Sequence, residues 1–422
     1  MGYKKPKDIK TLHIRLVKAL TSMRVVLAYS GGLDTSVAIK WLQEKYQADV
    51  ITLTLDLGQE EDLKAAEAKS LMLGAVKHYG IDVREAFVRS YVFPSIKANG
   101  LYEGKYPLST ALGRPLIASK LVEVAEREDA QAVAHGCTGK GNDQVRLDVT
   151  IKALNSTLKI IAPVREWGLT RDQEMAYAQE RGVPVSVKKS LYSIDQNLWG
   201  RSIESGILED PMVEPPTDAF EWVVRPEEAP DKPTYLKLTF EGGVPSAVDD
   251  VELEPIRLIN LLNRVAGSNG VGIIDHIEDR LVGIKSREVY ECPAATVILE
   301  AHRELEKLVL TRHELNFKRL VDTAWSELVY TGLWVDPLKE DLDAFVDSTQ
   351  GRVSGTVTMK LYKGGMRVVG RSSPYSIYDS KLATYSSEST FNQKLAEGFI
   401  EIWGLQSRVS ASRNKLQKVT AS

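Results

Sequence analysis

From Met23 onward, short apolar runs rich in β-branched residues alternate with longer stretches of helical spacing. The runs are Val25–Tyr29, Asp49–Leu55, Ala75–Tyr79, Ala132–His135 and Lys159–Val164. Helical patterns lie among them at Asp34–Lys45, Glu60–Leu73, Val83–Ala98 and Pro115–Arg127. Strands this short, separated by helices of about 10–15 residues, predict βαβ units and a parallel sheet covered on both faces. In such a sheet, ligands sit beyond the carboxyl ends of the strands. Two Gly-rich segments, 30–32 and 136–141, directly follow apolar runs and are therefore expected at one edge of the sheet.

After about residue 190 the pattern changes. Six of the 17 prolines fall between Pro211 and Pro233, which predicts an exposed connector. Tyr235–Phe240 and Gly242–Val248 read as antiparallel strands meeting at Gly242-Gly243, and Pro255–Ala266 as a helix. One long helix is predicted from Pro293 to Tyr330, then a hairpin of Arg352–Leu361 and Met366–Val369 across Lys363-Gly364-Gly365. This half reads as α+β. The segment from Asn392 to Lys418 is helical in pattern, with Leu395, Phe399, Ile402, Trp403 and Leu405 among its apolar positions. A tail exposing so many large apolar groups is expected to pack on another subunit.

The chain has 422 residues, 54 Lys+Arg and 57 Asp+Glu, a net charge of −3. That length holds two or three cores. The balance gives no general basic field for nucleic acid or an anionic membrane. No uncharged apolar run approaches the roughly 18 residues of a transmembrane helix. Cys137 and Cys292 cannot make a disulfide framework or a four-thiolate zinc site, so both are expected as small buried groups in a reducing, cytoplasmic setting. The first 22 residues carry Lys4, Lys5, Lys7, Lys10, Arg15 and Lys18 against Asp8. Without an apolar h-region they read as a basic surface extension, or as the product of an upstream start with Met23 the working one.

The strongest chemical signal is Ala28-Tyr29-Ser30-Gly31-Gly32-Leu33-Asp34-Thr35-Ser36. Here a strand feeds Ser-Gly-Gly and a helix begins near Asp34. The glycines permit a tight turn and close approach of the backbone to an anion. Ser30, Thr35, Ser36 and the first-turn amides then face one spot, where the helix dipole adds about half a positive charge. Such a nest suits phosphate or pyrophosphate. A carboxylate such as Asp34 beside phosphates calls for Mg²⁺ between them. Competing signatures are absent: there is no Walker sequence, no G-x-G-x-x-G, no H-E-x-x-H and no G-x-S-x-G.

The string SGGLDTS resembles the pyrophosphate loop of the N-type ATP pyrophosphatases. Further segments make the chain similar, within that group, to the argininosuccinate synthase family. They are LGQEED (57–62), YPLSTALGRP (106–115), HGCTGKGNDQVR (135–146), SIDQN (193–197), GVGIIDHIEDRLVGIKSREVYECPA (270–294) and ELVYTGLWVDP (327–337). The resemblance implies ATP-driven joining of citrulline and aspartate through a citrullyl-adenylate, with Mg²⁺, in a homotetramer. It implies an α/β fold: a nucleotide domain over 23–190 (adenine nucleotide alpha hydrolase-like, with a five-stranded parallel sheet), an α+β synthetase domain over 191–385, and an oligomerisation helix over 386–422.

By the same resemblance, Ala28, Tyr29, Ser30, Gly31, Gly32, Leu33, Asp34, Thr35 and Ser36 bind ATP, with Leu55, His135 and Gly136 on its adenosine side. Asp34 and Ser36 are the residues carried over as catalytic. Thr138, Asn142 and Asp143 match the aspartate site. Tyr106, Thr110, Asn142, Arg146, Ser193, Ser202, Glu278 and Tyr290 match citrulline positions or their neighbours. Two positions depart from relatives. Leu55 stands where a smaller residue is usual, and Ala111 where serine is, so a contact there is lost or made by Thr110. Amidotransferases and tRNA thiolases share the loop, but Cys137 and Cys292 give neither a glutaminase nor a thiolase pattern, and a basic RNA face is missing. A non-catalytic nucleotide sensor would keep the loop alone.

Overall fold

The apolar runs of the N-terminal half form five parallel strands: β1 (Arg24–Ala28), β2 (Asp49–Asp56), β3 (Lys77–Asp82), β4 (Ala132–Ala134) and β5 (Lys159–Ile161). These come from a computed structural model that describes residues 22–60, 62–184 and 191–420. The basic extension, apart from Ser22, and Glu61 of the LGQEED segment lie outside the described residues.

The strand order is β3-β2-β1-β4-β5, with Val25 opposite both Val50 and Ala132. The direction of winding reverses between β1 and β4, which opens a crevice beyond their carboxyl ends. Alternation along β1 divides the core. Val25 and Leu27 pack with Val37, Ile39 and Leu42 of the helix Leu33–Tyr46, while Val26 joins Leu112 and Leu116 of the helix Ser109–Arg127 on the other face. Residues Val50 to Asp56 of β2 are all buried, as both-face coverage requires.

Three expectations shift. The third strand runs over Lys77–Asp82, two residues later than its apolar run, because Ile51 pairs with Lys77 at the sheet edge. Pro115 does not start its helix but is its seventh residue; the helix begins at Ser109, with the amides of Thr110 and Ala111 capped by the phenolic oxygen of Tyr106 at 2.9 and 3.4 Å. The predicted helix from Pro293 to Tyr330 is two helices, Pro293–Val309 and Arg312–Tyr330. Thr311 starts the second with a capping box to Glu314.

The C-terminal half supplies two antiparallel sheets. One has the order β11-β12-β7-β6, from β6 (Ser193–Asn197), β7 (Gly200–Glu204), β11 (Ile273–Asp279) and β12 (Lys285–Glu291). The other joins β8 (Thr234–Glu241), β9 (Val244–Val248) and β10 (Val251–Glu252) to the hairpin β13 (Gly355–Tyr362) and β14 (Gly365–Ser372). That hairpin turns at Lys363 and Gly364, both with positive φ (49° and 77°), so its loop has two residues.

The Pro-rich connector is largely exposed yet anchored: its backbone amides at Glu221, Trp222 and Val223 all donate to the buried carboxylate of Glu291. The chain through Tyr375 is one compact unit, and the chain from Ser376 is a second. The second holds the helices Leu395–Trp403 and Leu405–Thr420, separated at Gly404, with Leu395, Phe399, Ile402 and Trp403 exposed.

Candidate active site

The loop after β1 is shaped by Gly31, whose φ of 72° would strain any other residue here. Gly32 then caps the helix Leu33–Tyr46 without a side-chain hydrogen bond, leaving the first-turn amides open to an anion. The Ser30 hydroxyl meets the Thr35 hydroxyl at 3.2 Å and accepts from the Gly32 amide at 3.4 Å. Lys69 donates to the Gly31 carbonyl at 2.5 Å and ties the loop to the helix Leu63–Met72. Ala28 ends β1, Leu33 opens the helix, and Tyr29 is buried with its hydroxyl 3.3 Å from that of Ser36. Ser36 is fully buried, whereas Asp34 is half-buried and accepts from Arg171 at 2.7 Å. Arg171 also donates to Glu174 at 3.0 Å. Burial, and then the charge of Asp34, push Glu174 up to about 7. Among the described residues no group of three or more His, Cys, Asp or Glu side chains is placed to hold a metal ion.

The second Gly-rich loop lies against the first. A Cβ on Gly136 would sit 3.2 Å from Thr35 Cγ2, so glycine allows the two loops their contact. His135 is committed on both ring nitrogens: Nε2 meets Asp148 at 2.7 Å, and Nδ1 accepts the Cys137 amide at 3.2 Å. The ring braces the turn. The Leu55 carbonyl accepts from Gln59 Nε2 at 2.6 Å. Thr138 and Lys140 are exposed. Cys137 is half-buried and Cys292 fully buried, and burial pushes each thiol up to about 12.

Farther along this segment, Asn142, Asp143 and Arg146 lie at the start of the helix Asp143–Leu154. Asp143 accepts from Arg146 at 2.9 Å and from Arg114 at 2.6 Å. Burial raises its carboxyl, but the two guanidinium groups outweigh that and hold it at about 2. Arg114 also pairs with Asp195. Asn142 donates to the Tyr330 hydroxyl at 2.8 Å and accepts the Leu281 amide at 2.9 Å.

The antiparallel sheet closes this region with one polar face. Its register places Asp195 opposite Ser202 and Ser202 opposite Tyr290, so these side chains project to the same side as Glu204, Glu278 and Glu288. The opposite side carries Ile203 and Val289, packed on Leu208 and Ala219. Glu278 is buried and accepts from Tyr290 and Tyr330, each at 2.7 Å. Burial nonetheless raises its carboxyl above the ordinary range. Tyr290 stacks on Tyr106 with centroids 4.3 Å apart, and the Tyr106 hydroxyl meets that of Thr110 at 2.8 Å. Ala111 is buried beside them.

Thr110, Tyr106, Asn142, Asp143, Arg146, Ser202, Glu278 and Tyr290 are thus brought into one neighbourhood. Ser193 shares the polar face, opposite Glu204, but is exposed. Sequence reasoning missed Arg114, Asp195 and Tyr330. The first two lie within YPLSTALGRP and SIDQN, where charge alone could have drawn attention to them. The Arg146 guanidinium spends Nε on the Tyr330 carbonyl and NH1 on Asp143; its buried NH2 has no partner. A buried cationic donor left open in this way is placed for a carboxylate.

Residues 24–184 match the arginosuccinate synthase N-terminal HUP domain, and residues 192–410 match the arginosuccinate synthase C-terminal domain. The chain is 58% identical over 385 residues to argininosuccinate synthase of Pyrococcus furiosus, covering 91% of this chain and 93% of the relative. It is 55% identical to the enzyme of that name from Pyrobaculum aerophilum (93% of this chain, 99% of the relative) and from Bacillus thuringiensis (94% and 99%). With both halves matched in order and the polar cluster built from the same segments, the chain belongs to the argininosuccinate synthase family.

Proposed function

We propose that this protein joins citrulline to aspartate, using ATP, to give argininosuccinate, AMP and pyrophosphate in arginine biosynthesis. The observation that carries the reading is the reach of one segment: Gly136 lies against Thr35 of the phosphate loop, and Asn142 to Arg146 lie in the polar cluster. A nucleotide in the loop and an amino acid in the cluster would therefore share a wall.

The ureido carbon of citrulline is a poor electrophile, because its nitrogens donate into the carbonyl. Attack by the ureido oxygen on the α-phosphorus forms an O–P bond and expels pyrophosphate, leaving adenylate as a good leaving group. The aspartate amine then attacks the ureido carbon, and AMP departs with the former ureido oxygen. The protein's part is positioning and charge stabilisation.

The loop Ser30–Ser36 would receive the phosphates, with Mg²⁺ arriving on them. Arg146 NH2 is suited to the citrulline carboxylate, and Glu278 and Tyr290 to its N–H groups. Asp143, kept ionised, is suited to the aspartate ammonium, and Thr138 and Asn142 to its carboxylates. A homotetramer in the cytoplasm, assembled through the exposed apolar helix Leu395–Trp403, completes the reading.

The test is citrulline labelled with ¹⁸O in its ureido oxygen, together with pyrophosphate assays omitting citrulline or aspartate in turn. Label in AMP and citrulline-dependent pyrophosphate release are expected. Release without citrulline, or unlabelled AMP, refutes the proposal.

A further inference from the structure

We infer that Arg171 is a pyrophosphate-binding residue of this reaction and that Glu174 positions it over the loop; the inference rests on the function proposed above. The loop offers hydroxyls and amides, and its charged residue, Asp34, is negative. When the bond between the α-phosphorus and the bridging oxygen breaks, the electron pair stays on the departing pyrophosphate, where negative charge accumulates. A cation is needed at that end of the nucleotide; the Gly-rich backbone does not supply a full one, and Lys69 is committed to the Gly31 carbonyl.

Arg171 stands there. Its NH1 reaches Asp34 at 2.7 Å, one residue past the start of the loop's helix, while the side chain remains 63% exposed. Among the described residues its Nε and NH2 make no hydrogen bond. It therefore keeps the two-donor edge of the guanidinium available, the edge that matches two phosphate oxygens.

Glu174 explains how so exposed a side chain is held. It lies one turn along the same helix, Arg171–Glu180, with 6% exposure. One of its oxygens accepts from Arg171, and the other is buried without a partner. A buried carboxylate with an unfilled oxygen is costly unless a cation is kept beside it. Glu174 and Asp34 thus hold Arg171 between them. The arriving phosphates replace Asp34 as partner of the guanidinium while Glu174 keeps its grip. Lys140, an exposed cation on the second Gly-rich loop, is the natural comparison.

Calorimetric titration of the full-length protein with pyrophosphate and Mg²⁺ tests this without requiring turnover. R171A is expected to weaken pyrophosphate binding at least tenfold, with R171K recovering part of the loss. E174A should follow R171A at reduced size, E174Q should fall between it and wild type, and K140A should change little. In turnover, R171A should raise the KM for ATP and relieve inhibition by pyrophosphate while the KM for citrulline stays put. Unchanged pyrophosphate affinity in folded R171A or R171K overturns the inference, as does an equal loss in K140A. Citrulline-dependent pyrophosphate release by the wild type is scored separately, so failure of this inference and failure of the proposed reaction are distinct results.

Discussion

Arg146 and Tyr330 are joined twice: Nε donates to the Tyr330 carbonyl at 2.8 Å, and the same guanidinium lies 4.7 Å from the Tyr330 ring centroid. The tyrosine holds the cation by backbone and ring together, which leaves its hydroxyl for Glu278 and Asn142. Tyr330 is therefore a hub between the nucleotide half and the antiparallel sheet.

Tyr330→Phe isolates that hydroxyl. The ring contacts with Arg146 and Tyr102 survive, but Glu278 loses one of its two tyrosine donors. A hydrogen bond to a charged group contributes about 1.5–3 kcal/mol, so the KM for citrulline should rise about tenfold or more. The KM for ATP should stay within about twofold. Steady-state kinetics with each substrate varied separately decides it; a rise in both constants alike contradicts the hub assignment.

Gly136→Ala addresses the contact between the two Gly-rich loops. The added methyl would press on Thr35 Cγ2 at 3.2 Å, closer than ordinary packing, and one loop must give way. Sub-ångström misplacement of reacting groups lowers turnover by about tenfold. The loss should appear in kcat and in the KM for ATP, with citrulline binding and melting temperature nearly unchanged. Wild-type kinetics in this variant would show that the loops can separate freely.

The parallel sheet was legible because most of its strands lie on short apolar runs bounded by helical spacing, β1 and β2 on β-branched ones. The phosphate loop was legible because Ser-Gly-Gly follows such a run directly. What escaped is long-range or unusual in kind. Pro115 suggested a helix start, but the true start rests on a phenol, Tyr106, serving as the cap, which no capping rule anticipates. The break before Arg312 was written in the sequence as Thr311 and Glu314, a capping box inside an otherwise continuous apolar pattern. Arg114 pairs with residues 29 and 81 positions away. Tyr330 shows a helical spacing indistinguishable from ordinary packing. Only the fold brings these groups to Arg146.

Glu204 links the polar face to pH. Burial, and then the charge of Glu288, push its carboxyl up to about 7, despite Arg280 bridging both acids at 2.5 and 2.6 Å. The folded protein thus keeps a proton that the unfolded chain releases near pH 4.3. Between that pH and about 7 the folded state holds more protons, so this residue's contribution to stability falls as pH rises. Glu204→Gln removes the titration. Its melting temperature should therefore change less between pH 5 and 8 than that of the wild type, and parallel curves for the two proteins would contradict the raised pKa.

Glu291 provides the contrast that separates a structural carboxylate from a ligand-facing one on the same strand. It follows Tyr290 and so projects to the other side of the sheet, where it is fully buried. Its oxygens accept Arg201 at 2.7 Å and the amides of Trp222 and Val223 at 2.7 and 2.8 Å. Glu291→Ala would leave the buried Arg201 without its carboxylate and three connector amides without their shared acceptor. Breaking a buried pair on one side costs about 3–5 kcal/mol, a large fraction of the roughly 5–15 kcal/mol that stabilises a domain. The urea midpoint should drop sharply, and limited proteolysis should open the chain between Pro211 and Pro233. The KM for citrulline, measured below the melting transition, should change little, because Glu278 and Tyr290 keep their partners on the other face. A rise in that KM with an unshifted urea midpoint would instead put Glu291 in contact with substrate and invert the assignment of the two faces.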